Sequence, residues 1–333
     1  MMRSLLYVPG RPLQADLSLD ELAAALKRKD GLLWVDFVDE PNETCEPILR
    51  DLFGFHPLAV DDALQETHTP KVDDWGEYLY IVANALEYHE AENVAGAASL
   101  VVHEVDIFLG PNYVVSHHDE AVPSVQAVWQ ACQRDTRHLQ QGADHLLYKI
   151  LDFLVADYLP IVARLDDALD EVEDRIFHQP GREVLSRLFA LKRALLAMRR
   201  VITPQREVLN RLARDDYRLV DPRDRIFFRD VYDHLVRLHD LNESMRDLVS
   251  GAMDIYLSVI NNRMNEVMKT LTMITTLFMP LSFIAAFFGM NFFMADPPYS
   301  NWMTPPVFYL TLGLLMVTPG LMYWWMRRRM WLE

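Results

Sequence analysis

From Arg223 onward, apolar side chains return every three or four positions, and the stretch between Pro222 and Pro280 contains no proline and one glycine, Gly251. This spacing predicts a single helix from Arg223 to Phe288, on the order of 100 Å long, which needs a coiled coil or bundle for stability. Toward its end the polar face vanishes. Leu271 to Phe288 reads LTMITTLFMPLSFIAAFF and carries no charge, over roughly 27 Å of helix, close to the thickness of a bilayer's hydrocarbon. A second uncharged segment runs from Val307 to Met326. Buried helices of a soluble core are the alternative, but Asp296 is the one fully charged side chain between Lys269 and Arg327. Two membrane spans, 270–290 and 307–326, are therefore expected.

The earlier pattern is different. Leu32 to Phe37, Tyr78 to Tyr88, Leu100 to Leu109 and Tyr113 to Ser116 are rich in Val, Ile, Tyr and Phe and read as strands. Leu19 to Lys27, with Ser18 as N-cap, reads as a helix, as do Pro47 to Leu52 and Pro57 to Gln65. Residues 1–142 thus form an α/β domain with a small mixed sheet. Ala143 to Phe177 has helical spacing and an acidic exposed face. After Pro180-Gly181, Arg182 to Arg214 resumes as an Arg-rich helix kinked at Pro204. Residues 143–221 suit an antiparallel hairpin of complementary charge, with two separately solvated faces as the alternative. The rest divides into a stalk helix entering the first span (222–290), a loop (291–306), the second span (307–326) and a basic tail (327–333).

Charge orients the spans. Lys269 precedes the first, Arg327, Arg328 and Arg329 follow the second, and the loop 291–306 has no Lys or Arg. The positive-inside rule puts both termini in the cytosol of a multi-pass protein of the cell (inner or plasma) membrane. No long apolar segment follows Met1-Met2-Arg3-Ser4, so no secretory leader is expected. The net charge of −16, from 48 acidic and 32 basic residues, argues against nucleic acid as a partner. It suits a surface that attracts cations, or simply a solvated acidic one. Cys45 and Cys132 stand far apart, outside any CxxC, so neither a disulfide framework nor a thiolate zinc site is expected.

Along the first span, Asn265, Met268, Thr272, Thr275, Met279, Ser282, Ala286 and Gly289 alternate in steps of three and four. They form one seam of small, hydroxyl, amide and thioether side chains. Such a seam serves ordinary helix packing. Around an axis shared by several copies it would instead line a narrow uncharged conduit.

These residues bring the chain close to a known family. Asn265-Glu266-Val267-Met268-Lys269, Phe278-Met279-Pro280-Leu281-Ser282-Phe283-Ile284-Ala285 and Gly289-Met290-Asn291-Phe292 resemble the CorA family of magnesium and cobalt channels, as does the basic tail ending in Trp331-Leu332. Upstream, Phe228-Arg229-Asp230-Val231-Tyr232-Asp233-His234 and His56-Pro57-Leu58-Ala59-Val60-Asp61-Asp62 are similar to the family's stalk and N-terminal domain. The resemblance implies a funnel-shaped homopentamer in the lipid bilayer, with αβα cytoplasmic domains and five long helices around the pore. It implies an entry ring at Asn291 within Gly289-Met290-Asn291, and a conduit lined or constricted by Asn265, Met268, Leu271, Met279 and Ser282. It implies Mg²⁺ and Co²⁺ as transported ions, with Mg²⁺ also regulatory at Asp62 and at Asp230 of a neighbouring copy. Asp61 and Asp152 match weaker acidic positions. The loop Phe293-Met294-Ala295-Asp296-Pro297-Pro298-Tyr299 departs from the family's Met-Pro-Glu-Leu, with Asp296 its remaining charge. Ser282 and Ala286 stand where threonine and glycine are frequent.

A zinc transporter of the same superfamily, with proton coupling, is the nearest rival. His103 and the pair His117-His118 lack ligand spacing and read as structural or exposed. A membrane-anchored binding module without transport is a second class. No HExxH, phosphate loop, GxSxG or Cys/His nucleophile pairing is present, so an enzyme is not expected.

Overall fold

Seven strands pair into one sheet in the order β2-β1-β3-β7-β6-β5-β4. They are β1 (Met2–Tyr7), β2 (Gln14–Ala15), β3 (Leu32–Val38), β4 (Lys71–Asp74), β5 (Leu79–Glu90), β6 (Ala98–Leu109) and β7 (Tyr113–His118). The computed structural model describes residues 1–28, 30–65, 68–90, 98–289 and 304–330. β3 and β7 run parallel, with Leu33 opposite Tyr113 and Val38 opposite His118. The other pairings among the described strands are antiparallel.

Alternation along the strands assigns the two faces. Leu33, Val35 and Phe37 of β3 join Tyr80, Val82, Phe108 and Val115 in a core with residues of α1 (Leu19–Leu26), α2 (Asn42–Pro47) and α3 (Pro57–Gln65). Trp34 points the other way and meets Trp129 of α4 (Pro123–Arg134) edge to face, with ring centroids 4.8 Å apart. The short α5 (Arg137–Gln140) leads to α6 (Ala143–Ala156), which packs on β5, β6 and β7. α8 (Arg182–Arg214) also lies on the sheet, and its Gln205 side chain accepts the Asn84 backbone N–H at 2.9 Å. Helices on both faces make an αβα sandwich.

Local chemistry fixes the turns. Ser18 and Glu21 form a reciprocal capping box at the start of α1. At the β6–β7 turn, a Cβ on Gly110 would lie 2.1 Å from the Tyr113 ring, so a side chain there forces that ring to move.

Several elements differ from the sequence reading. Pro47 to Leu52 is not one helix: α2 ends at Pro47 and a π-helical turn occupies Ile48–Leu52. The single helix expected over Ala143 to Phe177 is two, because α6 stops at Ala156 and α7 covers Tyr158–His178. Pro160 cannot donate to the carbonyl one turn before it, which weakens the helix at that junction. Pro204 sits inside α8 without ending it. β1, β2 and β4 had no clear pattern: β1 carries Arg3 and Ser4 ahead of its apolar residues, β2 has two residues, and β4 reads Lys-Val-Asp-Asp.

α7 and α8 pair with complementary charge. Arg175 meets Glu183 at 3.0 Å, and Arg187 reaches Glu183 at 3.2 Å and Glu171 at 3.6 Å. α9 (Arg225–Phe288) is one continuous helix, and α10 (Pro305–Met330) follows. The chain divides into two compact units, Met1–Tyr256 and Leu257–Glu333. Both α9 and α10 contain uncharged windows long and apolar enough to cross a membrane.

Candidate functional site

Within Met1–Tyr256, the buried residues of α9 are Phe228, Val231, Leu235, Leu238, Asn242, Met245, Val249, Ala252 and Tyr256. They alternate in steps of three and four without exception, which is a coiled-coil-type packing line. The same heptad positions recur in the second unit at Met273, Leu277, Pro280 and Ile284, which are half-buried together with neighbouring Thr276 and Leu281. At roughly 100° per residue, the seam read from the sequence lies about 150° around the helix from this line.

That seam is bare. Asn265, Met268, Thr272, Thr275, Met279, Ser282, Ala286 and Gly289 are all exposed within the chain, as are Leu271 and, off the seam, Phe278 and Phe283. Thr272 and Thr275 donate their hydroxyl protons to the carbonyls of Met268 and Leu271, at 2.8 and 3.0 Å. A hydroxyl satisfied in this way still offers oxygen lone pairs to the exposed face. Gly289 donates its N–H to the Ala285 carbonyl at 2.9 Å, and a Cβ there would sit 3.0 Å from that same oxygen. Met290, Asn291 and Asp296 lie outside the described residues.

The acidic positions fall in two places within Met1–Tyr256. Asp61 and Asp62 are on α3, each answered by a cation of its own chain. Arg50 bonds Asp61 at 2.6 Å, and Lys71 bonds Asp62 at 2.5 Å while lying 3.2 Å from Asp73. Burial works against the Lys71 charge, but the two carboxylates outweigh it and raise its pKa. Asp152 on α6 and Asp230 on α9 flank Tyr148. Its hydroxyl is pushed up to about 12, first by burial and then by these two negative charges. Asp230 is largely exposed, and its near neighbour is His234 at 4.0 Å. Such oxygens suit Mg²⁺, which takes one or two carboxylates and keeps several waters. Among the described residues no three His, Cys, Asp or Glu side chains converge on a metal position. A regulatory ion at these aspartates therefore needs carboxylates from a second copy, or water.

The structure also reveals a polar chain across the sheet that the sequence reading missed. Tyr80 donates to Asp106 at 2.6 Å, and Asp106 lies 3.7 Å from His117. Beside it, Glu104 accepts the His68 backbone N–H at 2.6 Å, and the His68 ring lies 3.7 Å from Asp62. Burial, then the Asp106 charge, pushes Glu104 up to about 8. The available signal was Glu104 and Asp106 two apart in an apolar strand, hence on one face. His117 and His118 are buried. His118 meets Asp36 at 3.3 Å, and Arg3 reaches the same carboxylate at 2.7 Å. Burial opposes the Asp36 charge, but His118, Ser116 and Arg3 prevail and hold its carboxyl below the usual range. His103 sits between Glu87 and Glu120. These histidines are structural.

This combination of an αβα module, a long helix with a bare seam and two apolar helices has counterparts. The cobalt/magnesium transport protein CorA of Thermotoga maritima is 35% identical over 287 residues, covering 85% of this chain and 78% of that one. The zinc transport protein ZntB of Yersinia pseudotuberculosis is 26% identical over 280 residues, covering 83% and 81%. The structure of the CorA magnesium transporter of Methanocaldococcus jannaschii superposes with a TM-score of 0.79 at 25% identity, covering 98% of both chains. The model of the CorA-like Mg²⁺ transporter protein family matches residues 29–328. The chain belongs to that family and is a membrane transporter of divalent metal ions.

Proposed function

We propose that the protein is a homopentameric channel for Mg²⁺ and Co²⁺, with both termini in the cytosol of the cell membrane. The observation that carries this reading is the exposed seam of α9 in the second unit, opposite Met273, Leu277, Pro280 and Ile284, which are half-buried inside the chain. Five such seams around an axis give a conduit of amide, hydroxyl and thioether groups with an apolar constriction near Leu271 and Met279. Asn291 forms the outer ring, where neutral oxygens hold the ion's hydration shell without retaining it as a carboxylate ring would. Ala286 and Gly289 leave room for the hydrated ion below it.

Regulation rests on Asp62 of one copy and Asp230 of its neighbour, with Asp61 and Asp152 beside them. Cytosolic Mg²⁺ at this interface neutralises carboxylates that otherwise repel, and its loss loosens the ring. Lys71 competes with the ion for Asp62, and Asp73 provides the alternative partner that lets Lys71 withdraw.

The test is ion flux into proteoliposomes with Mg²⁺, Co²⁺ or Zn²⁺, with and without a pH gradient, on wild type and Asn291→Ala. Mg²⁺ and Co²⁺ flux independent of the gradient, reduced in Asn291→Ala, is expected. Flux of Zn²⁺ alone, driven by the gradient, would overturn the reading in favour of a zinc transporter.

A further inference from the structure

Eight of the nine buried positions of α9 carry hydrophobic side chains, and the ninth is Asn242. Asn242 is 0% exposed, and neither its Oδ1 nor its Nδ2 has a hydrogen-bond partner among the described residues. One turn back, the Nδ1 of His239 is also buried without a partner. An amide left in this condition weakens the packing around it, and it favours any arrangement that satisfies it. The two flanks of this turn differ. On one, Glu243 meets Arg199 of α8 at 3.4 Å and Arg246 of α9 at 2.7 Å. On the other, Leu238 and Leu241 line a cleft of about 340 Å³ with Val155, Ala156 and Leu159 of the α6–α7 junction. Leu241, Leu248 and Ile255 stand seven residues apart and are 45%, 52% and 42% exposed. This second apolar line lies about 100° around the helix from Asn242, Val249 and Tyr256.

We propose that α9 has two seats within the unit Met1–Tyr256, and that Asn242 is the residue that holds them close in energy. In the first seat, described above, the amide is buried without a partner. In the second, α9 turns about its axis by up to about 100°, which carries Leu241 into the cleft and Asn242 to the α8 flank. There Arg199 donates to the amide oxygen. The same turn brings the His239 ring and Glu243 outward to water, and Glu243 keeps Arg246, three residues on, as its partner. A polar residue on an otherwise apolar packing line is the established way for a helix to choose between registers. With a hydrophobic residue at position 242, the first seat has no such defect and α9 stays in it. The device uses no metal ion, so it is independent of which ion the transporter carries.

The test is the rate at which a maleimide labels Leu241→Cys in the full-length protein in lipid nanodiscs with a chelator present. Cys45 and Cys132 are buried, so the introduced thiol is the fast one. Adding Asn242→Leu holds α9 in the first seat, where position 241 is open, and labelling is expected to quicken about twofold to threefold. Arg199→Met removes the partner of the second seat and should have the same effect, and the two together should go no further than either alone. The melting temperature of Asn242→Leu, without the cysteine, should be at or above that of wild type. Asn242→Val carries the same expectations if the leucine does not fit. Labelling that is unchanged or slower with both substitutions, or effects of Asn242→Leu and Arg199→Met that multiply, would overturn the two seats. A lower melting temperature with both leucine and valine would mean that the amide is satisfied where it sits, and would overturn them equally.

Discussion

In the unit Met1–Tyr256, charged side chains are drawn inside and answered, whereas in Leu257–Glu333 large apolar side chains stand outside. Asp36 is fully buried among Arg3, His118 and Ser116, while Phe283 and Met316 are 71% and 75% exposed. The first unit has water as its solvent and closes its own core. The second has almost no charge to show to water and leaves its apolar surface for lipid or for further copies. One helix, α9, belongs to both regimes, and its heptad line is buried in the first and half-buried only from Met273 to Ile284 in the second.

The contrast can be broken by substitutions chosen from each side. Asp36→Ala strands Arg3 and His118 without their counter-charge, and unfolding of the purified chain should show a loss of about 3–5 kcal/mol. If Asp36→Ala unfolds like wild type, the charges of the first unit do not hold it together. Next comes a matched pair on α9. Leu235→Ala in the covered line should cost about 2–4 kcal/mol in the same measurement, whereas Met279→Ala in the bare seam should cost under about 0.5 kcal/mol and alter ion flux instead. Equal destabilisation by the two would mean that the seam is a packing surface.

A smaller effect tests the polar chain of the sheet. Glu104 has a folded pKa near 8, well above its unfolded value, so it contributes stability that is lost as pH rises toward and through 8. Melting temperature should fall between neutral and mildly alkaline pH, and Glu104→Gln should flatten that slope. The smallest effect concerns Lys71, whose pairing with Asp62 is partly solvated. Under the proposed regulation by Mg²⁺ at Asp62, Lys71→Met should lower the closing Mg²⁺ concentration by about twofold to fivefold, the scale of a surface ion pair. An unchanged closing concentration would remove Lys71 as a competitor for the ion.

The apolar C-terminal helices were legible because lipid imposes a coarse rule: no charge for a whole span. The α/β pattern was legible where strands are mostly apolar, as at Leu32–Val38 with Asp36 its one charge. β4 was not, because Lys71, Asp73 and Asp74 lie at a sheet edge, where burial does not filter composition. The break between α6 and α7 was masked by apolar spacing that stays in phase across Asp157. The acids of the sheet were illegible for a different reason. Asp36 and Asp106 look like any surface acid until packing against distant segments buries them, and such packing leaves no local period. Asp62 and Asp230 were reached through family resemblance, which supplied a pairing that one chain's own contacts do not make.

The sheet's two margins carry a consequence for manufacture. β2 is two residues long, and β4 is four residues long and charged at three of them. Exposed backbone at a long, flat margin recruits further strands, and a protein concentrated in the plane of a bilayer meets its own kind constantly. With margins this short and this charged, neighbouring copies have little ladder to extend. The sheet therefore adds little to self-association, and crowding during biogenesis does not draw its margins into fibres.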